Sequence, residues 1–172
     1  MRRSVISFII IDGYNLIGIY HKDLEKQRNQ LIESLIEYHK RKGHEITVVF
    51  DGWKTGGAQE NHSVIGGIRV IFSRLGEKAD SVIRRIISSE RCGWIVVTSD
   101  RDIATHAWAS DAVPISSEDF MNAIEKIRGG TGVMYEKGGG EEEEEYVLPA
   151  RKGNPKQLSK KEKAIKKTLS KL

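Results

Sequence analysis

Residues 5–17 read VISFIIIDGYNLI, an apolar run that stops abruptly at Asp12. Its β-branched members Val5, Ile6, Ile9, Ile10 and Ile11 show almost no polar alternation. That is the pattern of a strand buried on both faces within a parallel sheet. Gly13 then permits a sharp turn, and Asn15 follows three residues after the carboxylate. In open α/β sheets ligands bind in the crevice at the carboxyl ends of the strands, where this run delivers Asp12.

Working outward, apolar runs recur with helical segments between them. Residues 22–42 carry Leu24, Leu31, Leu35 and Tyr38 at helical spacing, and Gly43 is a natural stop. Residues 45–50, EITVVF, predict a second strand that runs into Asp51 and Gly52. Residues 53–67, rich in Gly, Asn and Ser, read as a loop. A third strand is expected at 68–73. Gly76-Glu77-Lys78-Ala79-Asp80 then opens a helix with the apolar stripe Ala79, Val82, Ile83, Ile86 and Ile87. A fourth strand at 94–98 ends in Ser99-Asp100-Arg101-Asp102, and a helix follows to about Ser110. A short strand covers 112–115, and Ser116 caps a closing helix that ends near Arg128. This alternation specifies a doubly wound α/β sheet of about five parallel strands.

The texture changes at residue 129. The sequence divides into a domain at 1–128, a low-complexity Gly/Glu linker at 129–150 and a basic extension at 151–172. The extension holds nine Lys/Arg against one Glu, whereas residues 1–150 are net negative. Such a tail suggests a polyanionic partner, most simply nucleic acid; a solubilising end is the bland alternative. Leu158, Ile165, Leu169 and Leu172 return to helical spacing, with Ser159 as a cap, and a helix this basic needs a docking surface. Arg2 and Arg3 before an apolar run imitate a signal peptide. However, Asp12-Gly13-Tyr14-Asn15 breaks the run and no small-residue cleavage pattern follows. The single cysteine, Cys92, excludes an internal disulfide and fits a reducing, cytoplasmic setting. No stretch approaches the ~20 apolar residues of a membrane span.

Three apolar runs end in Asp12, Asp51 and Asp100, while Glu77 and Asp80 open the helix after another. A parallel sheet would gather all five on one edge. Their mutual repulsion and desolvation demand a compensating charge, and hard divalent cations, Mg²⁺ or Mn²⁺, supply it. The five histidines are scattered, which disfavours zinc. A carboxylate-held pair of ions suits phosphodiester cleavage. There is no Walker lysine motif, no GxGxxG and no GxSxG. Asp100-Arg101-Asp102 leaves open a phosphatase or a Toprim-type nuclease, although the latter would want glutamate where Asp12 stands.

Bland readings compete at several positions. An Asp after a strand commonly caps a helix, which would account for Asp51 and Asp102. Glu77 and Asp80 also suit a helix N-terminus. Cys92 is expected to be a buried small residue, and His62 and His106 to be surface or partly packed. Tyr14 and Trp53 are candidates to stack on bases. Lys54, Arg69, Arg74, Arg84 and Arg85 are candidates for phosphate contacts or plain solvated surface.

Taken together, Asp12-Gly13-Tyr14-Asn15, Val48-Val49-Phe50-Asp51-Gly52, Phe72-Ser73 with Gly76-Glu77-Lys78-Ala79-Asp80-Ser81, and Val97-Thr98-Ser99-Asp100 resemble a known family. In order and spacing they are similar to the YacP-like branch of NYN domains, relatives of PIN-domain ribonucleases. The resemblance covers roughly residues 5–128, and the basic tail looks like an extension carried by that branch. It implies a PIN-like/NYN three-layer sandwich around a mostly parallel sheet. It also implies a metal-dependent endoribonuclease acting on single-stranded RNA, in some members messenger RNA at the ribosome.

Carried over by position, it makes Asp12, Asp80 and Asp100 catalytic metal ligands, with Asp51 and Glu77 as outer ligands. Asn15 would orient Asp12 or a phosphate, and Ser99 would hydrogen-bond the cluster. Lys78 stands where the branch usually has threonine, and would contact a phosphate or face solvent. Tyr14, Asn15, Lys78, Ser99 and the tail lysines Lys160, Lys163 and Lys167 are the expected RNA contacts. A non-catalytic RNA- or ribosome-binding module of the same fold is the competing expectation.

Overall fold

The structure is a computed structural model that describes residues 6–18, 23–52, 57–129 and 159–172. Five strands run parallel: β1 (Phe8–Asp12), β2 (Glu45–Phe50), β4 (Ile68–Phe72), β5 (Ile95–Val97) and β6 (Val113–Ile115). One more, β3 (Asn61–Ile65), lies antiparallel to β4. The sheet order is β3-β4-β2-β1-β5-β6. The five parallel strands are those expected from the apolar runs. The sixth occupies part of the segment read as a loop, so residues 61–65 form a strand rather than a loop. Ile65-Gly66-Gly67-Ile68 is a two-residue hairpin turn in which both glycines have positive φ, the geometry that right-twisted strands prefer. β3 escapes the apolar-run signal because it is an exposed edge strand, with Val64 76 % exposed.

Helices cover both faces. Successive side chains of a strand point to opposite faces, and β1 shows the division. Ile9 and Ile11 join Val48, Phe50 and Val70 under α1 (Gly13–Ile17), α2 (Leu24–Lys42) and α5 (Ser117–Ile127). Ile10, Val49, Ile71 and Val96 pack under α3 (Ala79–Ser89) and α4 (Arg101–Ala109). The result is the three-layer sandwich. The helix ends obey local chemistry: Asp23 caps α2 through Lys26 N–H (3.0 Å), and Gly43 closes it in the left-handed region. Ser116 caps α5 through Asp119 N–H (3.0 Å). Two local expectations are corrected: α3 starts at Ala79 rather than at Gly76, and Cys92 is exposed rather than buried.

The tail helix α6 (Lys160–Leu169) opens with a capping box between Ser159 and Glu162. Its docking surface is the domain itself. Ile165 and Leu169 pack on the α2/α5 core, Leu172 is 6 % exposed, and Tyr38 donates its hydroxyl hydrogen to the Leu172 carbonyl (3.3 Å). Buried His44 accepts from Ser7 N–H at Nδ1 (3.3 Å) and faces the Lys171 carbonyl through Nε2 (3.2 Å). This requires the neutral ring with its hydrogen on Nε2, and burial lowers its pKa accordingly. Among the described residues no helix is long and apolar enough to cross a membrane.

Candidate active site

β1 is the strand at which the sheet order reverses: the chain moves from β1 to β2 and β4 on one side, then crosses to β5 and β6 on the other. The crevice at the carboxyl ends of β1 and β5 is therefore the topological switch point, the usual ligand site of such sheets. Asp12 ends β1, and Asp100 stands three residues after β5.

Side-chain alternation decides which carboxylates meet. Ile10 and Val49 face the α3/α4 layer, so Asp12 and Asp51, each two residues further on, face it too. Ser73 follows Ile71 by the same rule. The first turn of α3 brings in Asp80 on that same side.

Most of these carboxylates also close a helix. Asp12 Oδ1 accepts from Asn15 N–H (3.2 Å) at the start of α1, and Asp100 Oδ1 accepts from Asp102 N–H (2.7 Å) and Ile103 N–H (3.1 Å) at the start of α4. Asp51 Oδ1 accepts from Ala79 N–H (2.5 Å), so α3 is capped by a residue from β2's end rather than by its own cap residue, Lys78. The capping and functional readings are thus compatible. One oxygen fixes the carboxylate, and among the described residues the second oxygens of Asp12, Asp51 and Asp100 have no hydrogen-bond partner.

The carboxylates also feel one another's charge. The Asp12 carboxyl is pushed up to about 6, first by burial and then by the charges of Asp51, Asp100 and Asp80, against the lowering effect of Asn15 N–H. Asp51 is also raised, by burial and by Asp80, with Ala79 N–H and the Lys78 ammonium opposing. Asp80 lies 3.7 Å from Arg84 through Oδ2, while its Oδ1 is buried without a partner. Among the described residues no three His, Cys, Asp or Glu side chains are close enough to form a ready-made metal cage. The carboxylates nonetheless present unpartnered oxygens and a mutual repulsion that a bound cation would relieve.

Several expected site residues stand elsewhere. Glu77 is 12 % exposed and held by Arg85 (3.0 Å) and Arg74 (3.3 Å), with Arg85 also paired to Glu60. Both its oxygens are engaged by guanidinium groups, which does not suit a metal ligand. Tyr14 is 7 % exposed, with its ring edge on Phe50 (5.2 Å), so it is a core ring rather than a stacking platform. Asn15 Oδ1 accepts from Ser99 N–H (2.9 Å) and from the Ser117 hydroxyl (2.8 Å), tying three segments of the crevice together. Ser99 thereby joins the site through its backbone. Lys78 is exposed, and Asp102 sits in the first turn of α4 with its N–H on Asp100.

Lys160, Lys163 and Lys167 are exposed on α6 but are not gathered with the carboxylates. α6 is anchored by Lys161 over Trp108 in the last turn of α4 (5.4 Å) and by Lys171 at His44, just before β2. Both anchors lie toward the amino ends of the strands, opposite Asp12. Trp53 and Lys54 lie outside the described residues.

Ser73 entered the sequence reading only within the Phe72-Ser73 motif, with no role given to it. Fully buried, its hydroxyl donates to the Glu77 carbonyl (2.5 Å) and accepts from Gly52 N–H (2.9 Å), pinning the turn after Asp51 to the approach to α3. That motif and its place as a polar residue ending an apolar strand were its signals.

The comparisons agree with this architecture. A family model described as YacP-like NYN domain matches residues 9–170. The protein YacP of Bacillus subtilis (strain 168) is 31% identical over 138 residues, spanning 71% of this chain and 77% of that protein. Crystal structures of Rae1 (YacP) from Bacillus subtilis superpose with a TM-score of 0.59. A mutant form is 26% identical, covering 72% of this chain and 77% of its own. The other structure is 25% identical, covering 72% and 76%.

Proposed function

The chain belongs to the YacP-like NYN domain family, within the PIN-like nuclease superfamily, and on that footing we propose that it is a metal-dependent endoribonuclease. The observation that carries the proposal is the convergence of Asp51, Asp80 and Asp100 on the half-buried Asp12 at the switch point. Building negative charge where a polyanion must dock makes chemical sense only with a bound cation.

Asp12, Asp51, Asp80 and Asp100 would hold Mg²⁺ or Mn²⁺. When bound, the ion supplies Lewis-acid stabilisation of the phosphoryl oxygens and a more acidic water. The chain's own part is positioning. Asn15 fixes Asp12 relative to the Ser99 turn, Ala79 N–H orients Asp51, and the first turn of α4 orients Asp100. Attack by water on phosphorus, with the 3′ oxygen leaving, gives a 5′-phosphate and a 3′-hydroxyl. Single-stranded RNA, such as messenger RNA, is the substrate that an open sheet edge accommodates, and a ribosome is a further partner consistent with the exposed lysines of α6.

Replacing Asp80 by Asn tests the reading. The variant should fold and lose metal-dependent cleavage, and undiminished cleavage would sink the assignment. A non-catalytic RNA-binding module is the second reading, favoured by the absence of a ready-made three-ligand cage among the described residues. Replacing Lys160, Lys163 and Lys167 by Gln separates the two. A pure binder loses most of its affinity, whereas the nuclease keeps cutting unstructured RNA at low salt. Deleting α6 would be a poorer test, because it uncovers core residues packed against Leu169 and Leu172.

A further inference from the structure

Beneath the carboxylate edge, on the α2 face of the sheet, runs a row of rings. Tyr14 meets Phe50 edge-on (5.2 Å), Phe50 stacks on Phe72 (5.5 Å, 24° between planes), and the Arg28 guanidinium lies 5.2 Å over the Phe72 ring. Phe50 and Phe72 are paired in register at the last positions of β2 and β4, so the row follows the carboxyl edge. α2 runs back toward the start of β2, which places Arg28, in its second turn, at that same edge.

Arg28 differs from most of the described arginines in charge balance. Arg41, Arg69, Arg74, Arg84, Arg85 and Arg128 each lie within 4.0 Å of a carboxylate. Among the described residues Arg28 makes no ion pair, yet it is half-buried and oriented by its ring. A guanidinium held over an aromatic face keeps N–H groups for a planar or tetrahedral anion, and it loses less freedom on binding than a solvated lysine would. β2 separates β1 from β4, so the ends of β1 and β4 lie two strand spacings, roughly 10 Å, apart along the edge, with Arg28 on the α2 face and the Asp12 carboxylate on the α3/α4 face.

We propose that Arg28, preset by the Phe72 ring, binds a phosphate of the RNA strand several nucleotides from the scissile one, and so sets the path of that strand across the carboxyl edge from the Asp12 crevice toward β4. The assignment rests on the nuclease reading above and deepens it. Arg28 is a positioning residue, since it touches substrate away from the reacting phosphorus. An arginine that merely covers Phe72 would contribute packing and no phosphate contact.

The test is binding of a short fluorescent single-stranded RNA to the full chain carrying Asp12→Asn, with and without Arg28→Ala, across a salt series. Arg28→Ala should weaken binding about tenfold and reduce the slope of log affinity against log salt by about 0.7, the loss of one phosphate contact on a single strand. Arg28→Lys should keep the slope and recover only part of the affinity, because it retains the charge without the stacked fork. In the active background, Arg28→Ala should raise KM with kcat nearly unchanged. Equal affinity and equal slope with and without Arg28, in a parent that binds RNA, would overturn the Arg28 assignment alone. No RNA binding by the Asp12→Asn chain, together with no cleavage by the wild-type chain, would overturn it together with the nuclease reading.

Discussion

Replacing Asp12 by Asn should make the folded protein more stable while removing its activity. Burial and three neighbouring carboxylates hold the Asp12 carboxyl at about 6, against an ordinary value of 3.8. A folded-state value raised above the unfolded one means that the relative stability is fully present below pH 3.8 and is lost as pH rises through about 6. At pH 8 the whole cost is expressed, about 3 kcal/mol at 1.36 kcal/mol per unit. Asn is isosteric and its Oδ1 still accepts from Asn15 N–H, so the cap at the start of α1 survives.

Urea unfolding of both proteins from pH 4 to pH 8 in chelator should therefore give a gap of only about 0.5 kcal/mol at the acid end and up to about 3 kcal/mol at the alkaline end. In thermal scans at pH 8 this is a Tm rise of roughly 5–10 °C for a chain of this size. Adding Mg²⁺ should narrow the gap, because a cation bound between the carboxylates relieves the wild type and does less for the variant. Asp12→Asn being equally or less stable at pH 8 would refute the reasoning, whatever its activity.

Other consequences follow from particular contacts. A Cβ added at Gly13 would overlap the Phe50 ring, so Gly13→Ala should cost about 1–3 kcal/mol in urea unfolding. Phe50→Leu should restore part of that loss. Glu77→Gln breaks ion pairs to Arg85 and Arg74, so it should lower stability by about 1 kcal/mol and leave metal-dependent cleavage within a few-fold of wild type; abolished cleavage would return Glu77 to the metal site. His44 is held neutral between Ser7 and Lys171, with its pKa lowered by burial. The stability it contributes is present above pH ~6.5 and lost as pH falls, a trend opposite to that of Asp12. Urea midpoints of His44→Gln should lack this acid-side loss.

The parallel strands were legible because each is buried on both faces, and continuous apolar runs such as IIIDG and TVVFD leave little choice of structure. The carboxylates were legible for a related reason: a charge that ends such a run must lie at the sheet's edge. β3 was not legible, since Asn61, His62 and Ser63 sit on an exposed edge strand where no burial imposes a pattern; the Gly66-Gly67 pair was its one available signal. Glu77 looked like a ligand because sequence spacing cannot show that Arg85, two turns along α3, and Glu60, from before β3, close around it. Tyr14 follows Asp12 by only two residues, yet α1 turns its ring into the core against Phe50. The lysines of α6 carried the right chemistry for nucleic acid, but their position opposite Asp12 depends on the long-range contacts of Leu172 and Lys171 with Tyr38 and His44. Arg28 was invisible for the same reason, its partner ring lying 44 residues away in the sequence.

That the carboxyl edge of this sheet binds a divalent cation and directs RNA hydrolysis is the proposal on which the rest depends. Its most direct test is incubation of the purified chain with a long unstructured RNA in Mn²⁺ or in chelator, with the product ends mapped. The account predicts internal cuts that need the metal, bear 5′-phosphate and 3′-hydroxyl ends, and vanish in Asp12→Asn. Cleavage that persists in chelator, or that leaves 2′,3′-cyclic phosphates, would contradict it.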